Sequence, residues 1–321
     1  MAMEVLKLNN GRTGKNEGPW KRAWNRLIHK KLAMISLVLI TVVYMAGIFA
    51  PWVAPSGYAD QNLLEAKQGP SLEHFAGTDR LGRDMFSRVL YGIQTTVIIT
   101  ITSMLTGGLL IGLSLGLISG YFGGKVDSII MRLGEVFAAF PGILLMILLA
   151  ATVKPRVLSF ARSLEDATGI DWIIKTGIVD YIVVFGALAA FSWVGMARLV
   201  RGQVLSLKTM QFIDAARATG ASTPRILFFH LLPNAISPVV VSITMGMGSI
   251  VGAEIVLSWL GIGIQPPRPS LGNMIFENGS LGVLRSDPHL LLAPIAVAWL
   301  LMFTWNLLGD GLNDVLNPRT R

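Results

Sequence analysis

Asp214-Ala-Ala-Arg-Ala-Thr-Gly220, then nine residues, then His230-Leu-Leu-Pro233, sits in a polar break between two long apolar runs. A spanning helix needs about 20 apolar residues to cross a hydrocarbon core of roughly 30 Å. Outward from the break, six runs meet or approach that length: residues 32–53, 89–124, 136–153, 181–197, 226–253 and 290–309. In lipid each must be helical, because no water satisfies an open backbone there. The second run exceeds one crossing, so part of it is expected to tilt or to leave the core. The third carries Pro141 near its start, and the fourth has room to continue past Arg198. Hydrophobic residues make up 52% of the 321 and charged residues 14%, against about 25% charged in a soluble domain. A soluble protein with six buried helices would need charged faces that this chain lacks. The expected fold is an all-α integral membrane protein with six transmembrane helices.

Lysine and arginine in the loops set the orientation. With the N-terminus inside, segments 1–31, 121–135, 198–225 and 310–321 hold 17 of the 27 basic residues, and the outer segments 54–88, 154–180 and 261–289 hold 10. The basic residues Lys21, Arg22, Arg26, Lys30 and Lys31 directly precede the first span, so both termini are expected in the cytoplasm. The net charge of +8 then needs no nucleic-acid partner, because a basic tail beside a span also touches anionic membrane lipid. Residues 1–31 do not read as a cleaved signal peptide, since no small-residue cleavage site precedes Pro51-Trp52. The chain has no cysteine, which excludes disulfides and thiolate metal sites. It divides into a basic tail with an interfacial helix over 20–31 (1–31), a first span (32–54), an outer segment (55–88), a main transmembrane domain (89–310) around the inner loop 198–225, and a second cytoplasmic tail (311–321).

Gly108, Gly112, Gly116 and Gly120 recur at every fourth residue of the second run, a stripe that lets another helix approach closely. Gly248 and Gly252 repeat the device in the fifth run. The first outer segment contains Gly77-Thr78-Asp79-Arg80-Leu81-Gly82-Arg83-Asp84. The second contains Asp171-Trp-Ile-Ile-Lys-Thr-Gly, a candidate interfacial helix with Trp172 at the headgroups. Glu135, Arg198, Glu254 and Asp310 lie in or beside the runs, where ionisable groups are functional candidates by default. Near span ends, anchoring or ion-paired packing is the simpler expectation, with Glu135 and Glu254 also candidates for a path. Glu254 follows 28 residues without Asp, Glu, Lys or Arg.

No catalytic set emerges. Gly11-Arg-Thr-Gly14-Lys15-Asn16 has two residues between its glycines where a phosphate loop has four, and Asn where Ser or Thr should hold magnesium. His29, His74, His230 and His289 are scattered over both sides of the membrane, so no metal site is expected. The chain reads as neither an enzyme nor a cofactor binder.

In the inner loop, residues 205–219 can form a helix, and Gly220 suits the left-handed position that ends it. Thr223-Pro224 reads as cap and first turn of the next helix. Ala215 and Ala216 offer a small-residue face for a partner, and Asp214 and Arg217 can pair with each other or with that partner. An alanine-rich linker helix would look the same on these residues alone.

The whole spacing, Asp214-Ala-Ala, three residues, Gly220, nine residues, His230, one residue, Leu232-Pro233, resembles the cytoplasmic signature of binding-protein-dependent ATP-binding-cassette permeases. That family usually has Glu where this chain has Asp214. Gly77-Thr-Asp-Arg-Leu-Gly-Arg-Asp-Met-Phe-Ser-Arg88 is similar to the outer motif of the dipeptide/oligopeptide/nickel branch. Val194-Gly-Met-Ala-Arg198-Leu-Val-Arg201-Gly-Gln203, Leu257-Ser-Trp-Leu-Gly-Ile-Gly-Ile-Gln-Pro-Pro267 and Asn306-Leu-Leu-Gly-Asp-Gly-Leu-Asn-Asp314 resemble its other segments. The order is that of the C-type permease. Departures are the long segment 154–180 and Arg268 and Leu271, which stand where acidic, polar or aromatic residues are common.

The resemblance implies that residues 214–217 and Gly220 form the coupling helix, supported by Arg198, Arg201, His230 and Pro233. It implies a homologous B-type permease, two cytosolic ATPases that use ATP and Mg, an external solute-binding protein, and a bacterial or archaeal plasma membrane. Short peptides are the implied solute. A nickel importer of the same branch, an ion-driven secondary carrier and a non-transporting scaffold are the alternatives.

Overall fold

The computed structural model describes residues 18–169 and 172–316. The expectations for the tail 1–17, with its phosphate-loop-like 11–16, for Asp171 and for 317–321 lie outside the described residues. The longer helices are α1 (Pro19–Ile28), α2 (Lys31–Ile48), α3 (Met85–Phe122), α4 (Gly124–Ala139), α5 (Gly142–Thr168), α6 (Ile178–Leu207), α7 (Gln211–Ala218), α8 (Thr223–Trp259), α9 (Leu271–Asn278), α10 (Leu281–Ser286) and α11 (Pro288–Leu316). Among the described residues no strand forms; Thr78 and Asp84 make an isolated antiparallel bridge. Helices α2, α3, α5, α6, α8 and α11 are long and apolar enough to cross a membrane. Six crossings return the chain to its starting face. There Lys30 Nζ donates to Asp314, and Gly311 lies against Ala33 and Leu27. We call this the terminal face; α7 lies on it, and the loop before α3 lies opposite, with α9 and α10.

Several boundaries differ from expectation. The third crossing does not begin at residue 136. Helix α4 runs back along α6, with Gly134 beside Val194, and the chain breaks at Phe140-Pro141, where Phe140 is extended and Pro141 is not helical. Proline has no N–H and disfavours helix in the residue before it, so α5 starts afresh at Gly142. The segment expected to be loop from 154 is helical to Thr168, where Gly169 stops it at φ +68°. Only one turn, Trp172–Lys175, is left of the interfacial helix. Helix α6 continues past Arg198, as its sequence allows, and reaches Leu207, so Arg198 and Arg201 stand on a span although the inner loop is expected from 198. The inner helix expected over 205–219 is therefore broken. Lys208 ends α6, Met210 is extended, and α7 is only eight residues long. Ser222, not Thr223, occupies the cap position of α8, with Pro224 in its first turn.

Close packing of α3 on α6 sets the centre of the fold. A Cβ on Gly112 would come within 2.8 Å of Met196 Cβ and Trp193 O; on Gly116, within 2.7 Å of Val200 Cβ; on Gly120, within 2.7 Å of Val204 Cβ. Gly107 lies against Ser192 and Ala189, whereas Gly108 meets only Met104 of its own helix. The expected stripe therefore loses Gly108 and gains Gly107. Residues Met104–Leu113 wind as a π-helix, which bonds each residue to the fifth along. Gly107 and Gly112, five apart, then share a face, and the ordinary four-residue spacing resumes at Gly116 and Gly120. Gly248 likewise sits beside Asn306 and Met302 of α11, and Gly252 beside Met302.

Adding a methyl group at Gly112 should cost about 1–3 kcal/mol through overpacking. Gly108→Ala should stay within about 1 kcal/mol, since a flexible side chain yields and Ala favours helix. Thermal unfolding of the purified protein in detergent checks the contrast, and equal losses would reject the π-shifted stripe.

Candidate coupling surface and ion clusters

Helix α7 is closed by a Schellman arrangement. Gly220 takes φ +78°, its N–H donates to Arg217 O at 2.9 Å, and Ala221 N–H donates to Ala216 O at 3.0 Å. The left-handed stop expected from sequence is present. Ile213 and Ala216, three residues apart, face inward against Leu117, Val200, Val204, Ile226 and Leu231. Ala216 is only 7% exposed, so it forms the floor of α7 and not, as expected, a surface for a partner. Asp214, Ala215 and Arg217 face outward. Asp214 accepts from Arg217 at 3.2 Å, and Arg217 also lies 5.8 Å from the Tyr121 ring at the end of α3. An exposed pair of this kind contributes at most about 1 kcal/mol, so Asp214 is cheaply released to another partner. Beside it, Ala216, Thr219, Gly220, Ala221, Arg225 and His230 line a recess of about 310 Å³. His230 sits in a π-helical turn, Ile226–Leu231, just ahead of Pro233.

Arg201 is tied down and Arg198 is exposed. The Arg201 fork donates to both oxygens of Asp127 on α4, Nε at 2.5 Å and Nη2 at 2.6 Å, and Ser119 Oγ of α3 adds 2.6 Å. The Arg201 hydrogen bonds hold the Asp127 carboxyl below its ordinary range against burial, and Ser119 helps. Lys208 Nζ donates to Gly120 O at 2.8 Å. Three helices are thus clamped directly above α7. Sequence reasoning named Arg201 but missed Asp127, whose one signal was its place in the first turn after Gly123-Gly124.

On the opposite face, the residues grouped from sequence as an outer motif form a buried ion cluster. Asp79 is 2% exposed and accepts from Leu81 N (2.8 Å), Arg83 N (3.0 Å), Arg83 Nε (2.7 Å) and Arg88 Nη1 (2.6 Å). Glu277 of α9 takes Arg88 at 3.1 Å and Arg83 at 3.5 Å. Gly77 and Gly82 supply the left-handed turns at φ +72° and +70°. Thr78 Oγ1 donates to Glu65 O and accepts from Gln68 N. Asp84 caps α3, one oxygen on Ser87 N (2.7 Å) and the other on His74 Nδ1 (3.0 Å). Burial raises the Asp79 carboxyl, but the Arg88 charge and the Arg83 and Leu81 hydrogen bonds bring it below its usual value.

Glu254 is fully buried in α8, where Thr96 Oγ1 and Ser258 Oγ each donate to it at 3.0 Å. It lies near the end of the span as expected, but its complete burial keeps it from headgroups and water. Among the described residues it makes no ion pair, so it is neither the anchor nor the ion-paired packing group expected from sequence. It joins α8 to α3. Glu135 is exposed on α4, and Asp310 is exposed on α11.

A family model described as "Binding-protein-dependent transport system inner membrane component" matches residues 112–321. The chain belongs to this family. A second model, the N-terminal transmembrane domain of oligopeptide transport permease C, matches residues 18–70. This permease is 37% identical to the dipeptide transport system permease DppC of Alkalihalophilus pseudofirmus, over 94% of this chain and 91% of that one. It is 35% identical to the oligopeptide permease OppC of Bacillus subtilis, over 94% and 90%. It is 38% identical to the glutathione permease GsiD of Pectobacterium atrosepticum, over 94% and 92%. A solved structure titled as an inward-facing MetNI methionine ABC transporter shares the fold at TM-score 0.52 and 20% identity, covering 73% of this chain and 98% of that one. The permease is therefore a C-type, multi-pass inner-membrane component of an ABC transporter.

Asp79→Asn leaves two buried guanidinium groups sharing Glu277 and should destabilise the permease by about 3–5 kcal/mol. An unchanged thermal midpoint would show that the cluster is not structural. His74 should make the outer loop pH-sensitive. The Asp84 hydrogen bond raises its pKa against the effect of burial, and the Asp84 and Glu65 charges add to that. A raised histidine lends stability that is fully present below its unfolded value of about 6.5 and is lost as pH rises through the folded value. Amide exchange over residues 65–84, corrected for intrinsic rate, should rise on the alkaline side in the native chain. In His74→Gln that rise should be absent.

Proposed function

We propose that the permease forms half of the path of an ATP-driven importer of short peptides, with α7 as the coupling helix that receives motion from cytosolic ATPases. The observation that carries this reading is the build of α7: a glycine-closed helix, rooted by Ile213 and Ala216, that presents Asp214 and Arg217 outward. A homologous B-type permease encloses the other half of the path. Two ATPases bind ATP and Mg, and an external binding protein delivers the solute. Both termini and α7 then face the cytoplasm, in keeping with the basic residues counted above.

Force on α7 reaches the spans through contacts already described. Ile213 and Ala216 press on the ends of α3, α6 and α8, and Arg217 touches Tyr121. The Asp127–Arg201 clamp carries the same displacement into α4. Eight residues with a fixed floor tilt as a lever rather than deform. Glu135 is exposed on α4, which supports a role for it against the second permease or the path. The relatives described above are named for dipeptides, oligopeptides and glutathione, so a peptide-like solute is the supported class and nickel draws no support from them.

The complete transporter in vesicles should take up peptide only with ATP. Asp214→Lys reverses the charge of the presented face and should cut that uptake by about tenfold or more, a loss of roughly 1.4 kcal/mol of coupling. Gly220→Pro, which cannot take the left-handed stop, should abolish it. Uptake driven by an ion gradient without ATP would overturn the reading, as would full activity of Asp214→Lys.

A further inference from the structure

On the face away from the termini, a cation held between two aromatic rings has no carboxylate partner among the described residues. Arg268 lies between α8 and α9 and is half-buried. Its Nη2 donates to Gln94 Oε1 at 3.3 Å, and the guanidinium lies 5.6 Å from the Tyr181 ring and 6.0 Å from the Tyr58 ring. Tyr181 is itself fixed. Its hydroxyl is 3.1 Å from Thr95 Oγ1, which donates to Pro269 O at 2.9 Å. Arg83, Arg88 and Lys154 on the same face all pair with Asp or Glu. Arg268 makes no such pair among the described residues. Ring faces hold a cation in place without neutralising it, and a guanidinium carries five donors. Most of these are unused.

Arg268 forms one wall of a cavity of about 260 Å³, whose other walls are Ile98, Trp172, Thr176, Ile178 and Tyr181. Trp172 is 52% exposed and Ile98 43%, an apolar surface set directly beside a positive charge. Guanidinium forks match carboxylates in bidentate geometry. The volume is below the roughly 300–1,000 Å³ of sites that enclose whole small molecules, so it suits one terminal residue. A free inorganic anion would leave the apolar wall unused, and a lipid would bring two chains to a space for one side chain.

We propose that this cavity binds the C-terminal residue of a short peptide in transit, with Arg268 on its carboxylate and Ile98 and Trp172 on its side chain. The proposal rests on the peptide-import reading above and goes further by assigning a contact for the solute. The test uses the complete transporter in vesicles and one peptide in two forms, free acid and C-terminal amide. Both are supplied at concentrations that saturate the binding protein, measured separately. The native transporter should favour the acid. Arg268→Gln should lower the acid-to-amide uptake ratio about tenfold, and Arg268→Lys, which keeps the charge but loses the fork, should restore it only in part. An unchanged ratio in Arg268→Gln would overturn the site. So would loss of both forms in parallel, the mark of a structural role, or a preference that vanishes when anionic lipid is replaced by neutral lipid, the mark of a lipid occupant. A native transporter that moves neither form with ATP would count against peptide import itself.

Discussion

Backbone contact between α3 and α6 is the constraint on which the rest of the structure depends. Gly107, Gly112, Gly116 and Gly120 place the α3 main chain against Ala189, Trp193, Ala197 and Arg201 of α6, with no room for a methyl group. Without a hydrophobic force between helices in lipid, packing of this kind is what associates them. The contact sets the distance between the two helix ends on the terminal face. Those ends, Leu117 and Val200–Val204, are the floor that receives Ile213 and Ala216 of α7. It also brings Ser119 and Gly120 within reach of Asp127 and Lys208. A π-helical stretch inside α3 lets the glycines follow α6 for the whole crossing, because it shifts their register once.

The two faces solve different problems. The terminal face is built around exposed charge on a rigid, short helix, where Asp214 and Arg217 cost little to separate. The opposite face is built around buried charge. Asp79, Arg83, Arg88 and Glu277 satisfy one another almost completely, though Arg88 Nε has no hydrogen-bond partner among the described residues. Buried ion groups of this type add little net stability, but losing one member is expensive. Their effect here is to fix the loop before α3 to α9, on the same face as Arg268, Tyr58 and Tyr181. Glu254 joins the same α3 to α8 with hydroxyl donors alone.

Much of this was legible in the sequence, because bilayer thickness fixes helix length and glycine chemistry fixes the stops. The six crossings, the left-handed Gly220 and the grouping of Gly77 through Asp84 are all of that kind. What escaped was register and distant pairing. Gly108 looked equivalent to Gly112 because a four-residue count assumes an α-helix, and nothing in Met104–Leu113 announces a π-helix. Glu277 is 189 residues from Arg88, so no local pattern ties them. Ala216 read as surface because its alanine neighbours hide which side Ile213 anchors. Helix also persisted where charge suggested loop, in α5 beyond Lys154, since a charged residue does not end a helix unless the backbone does.

The absence of cysteine makes the docking of α7 directly measurable. Asp214→Cys gives the transporter's C-type chain a single thiol on the outward face of α7. It can be probed with a membrane-impermeant reagent in vesicles of known orientation, with and without the ATPase subunits. Labelling is expected only from the side that carries the termini, and strong protection is expected once the ATPases are bound. Labelling from the opposite side, or labelling that the ATPases leave unchanged, would contradict α7 as the coupling surface.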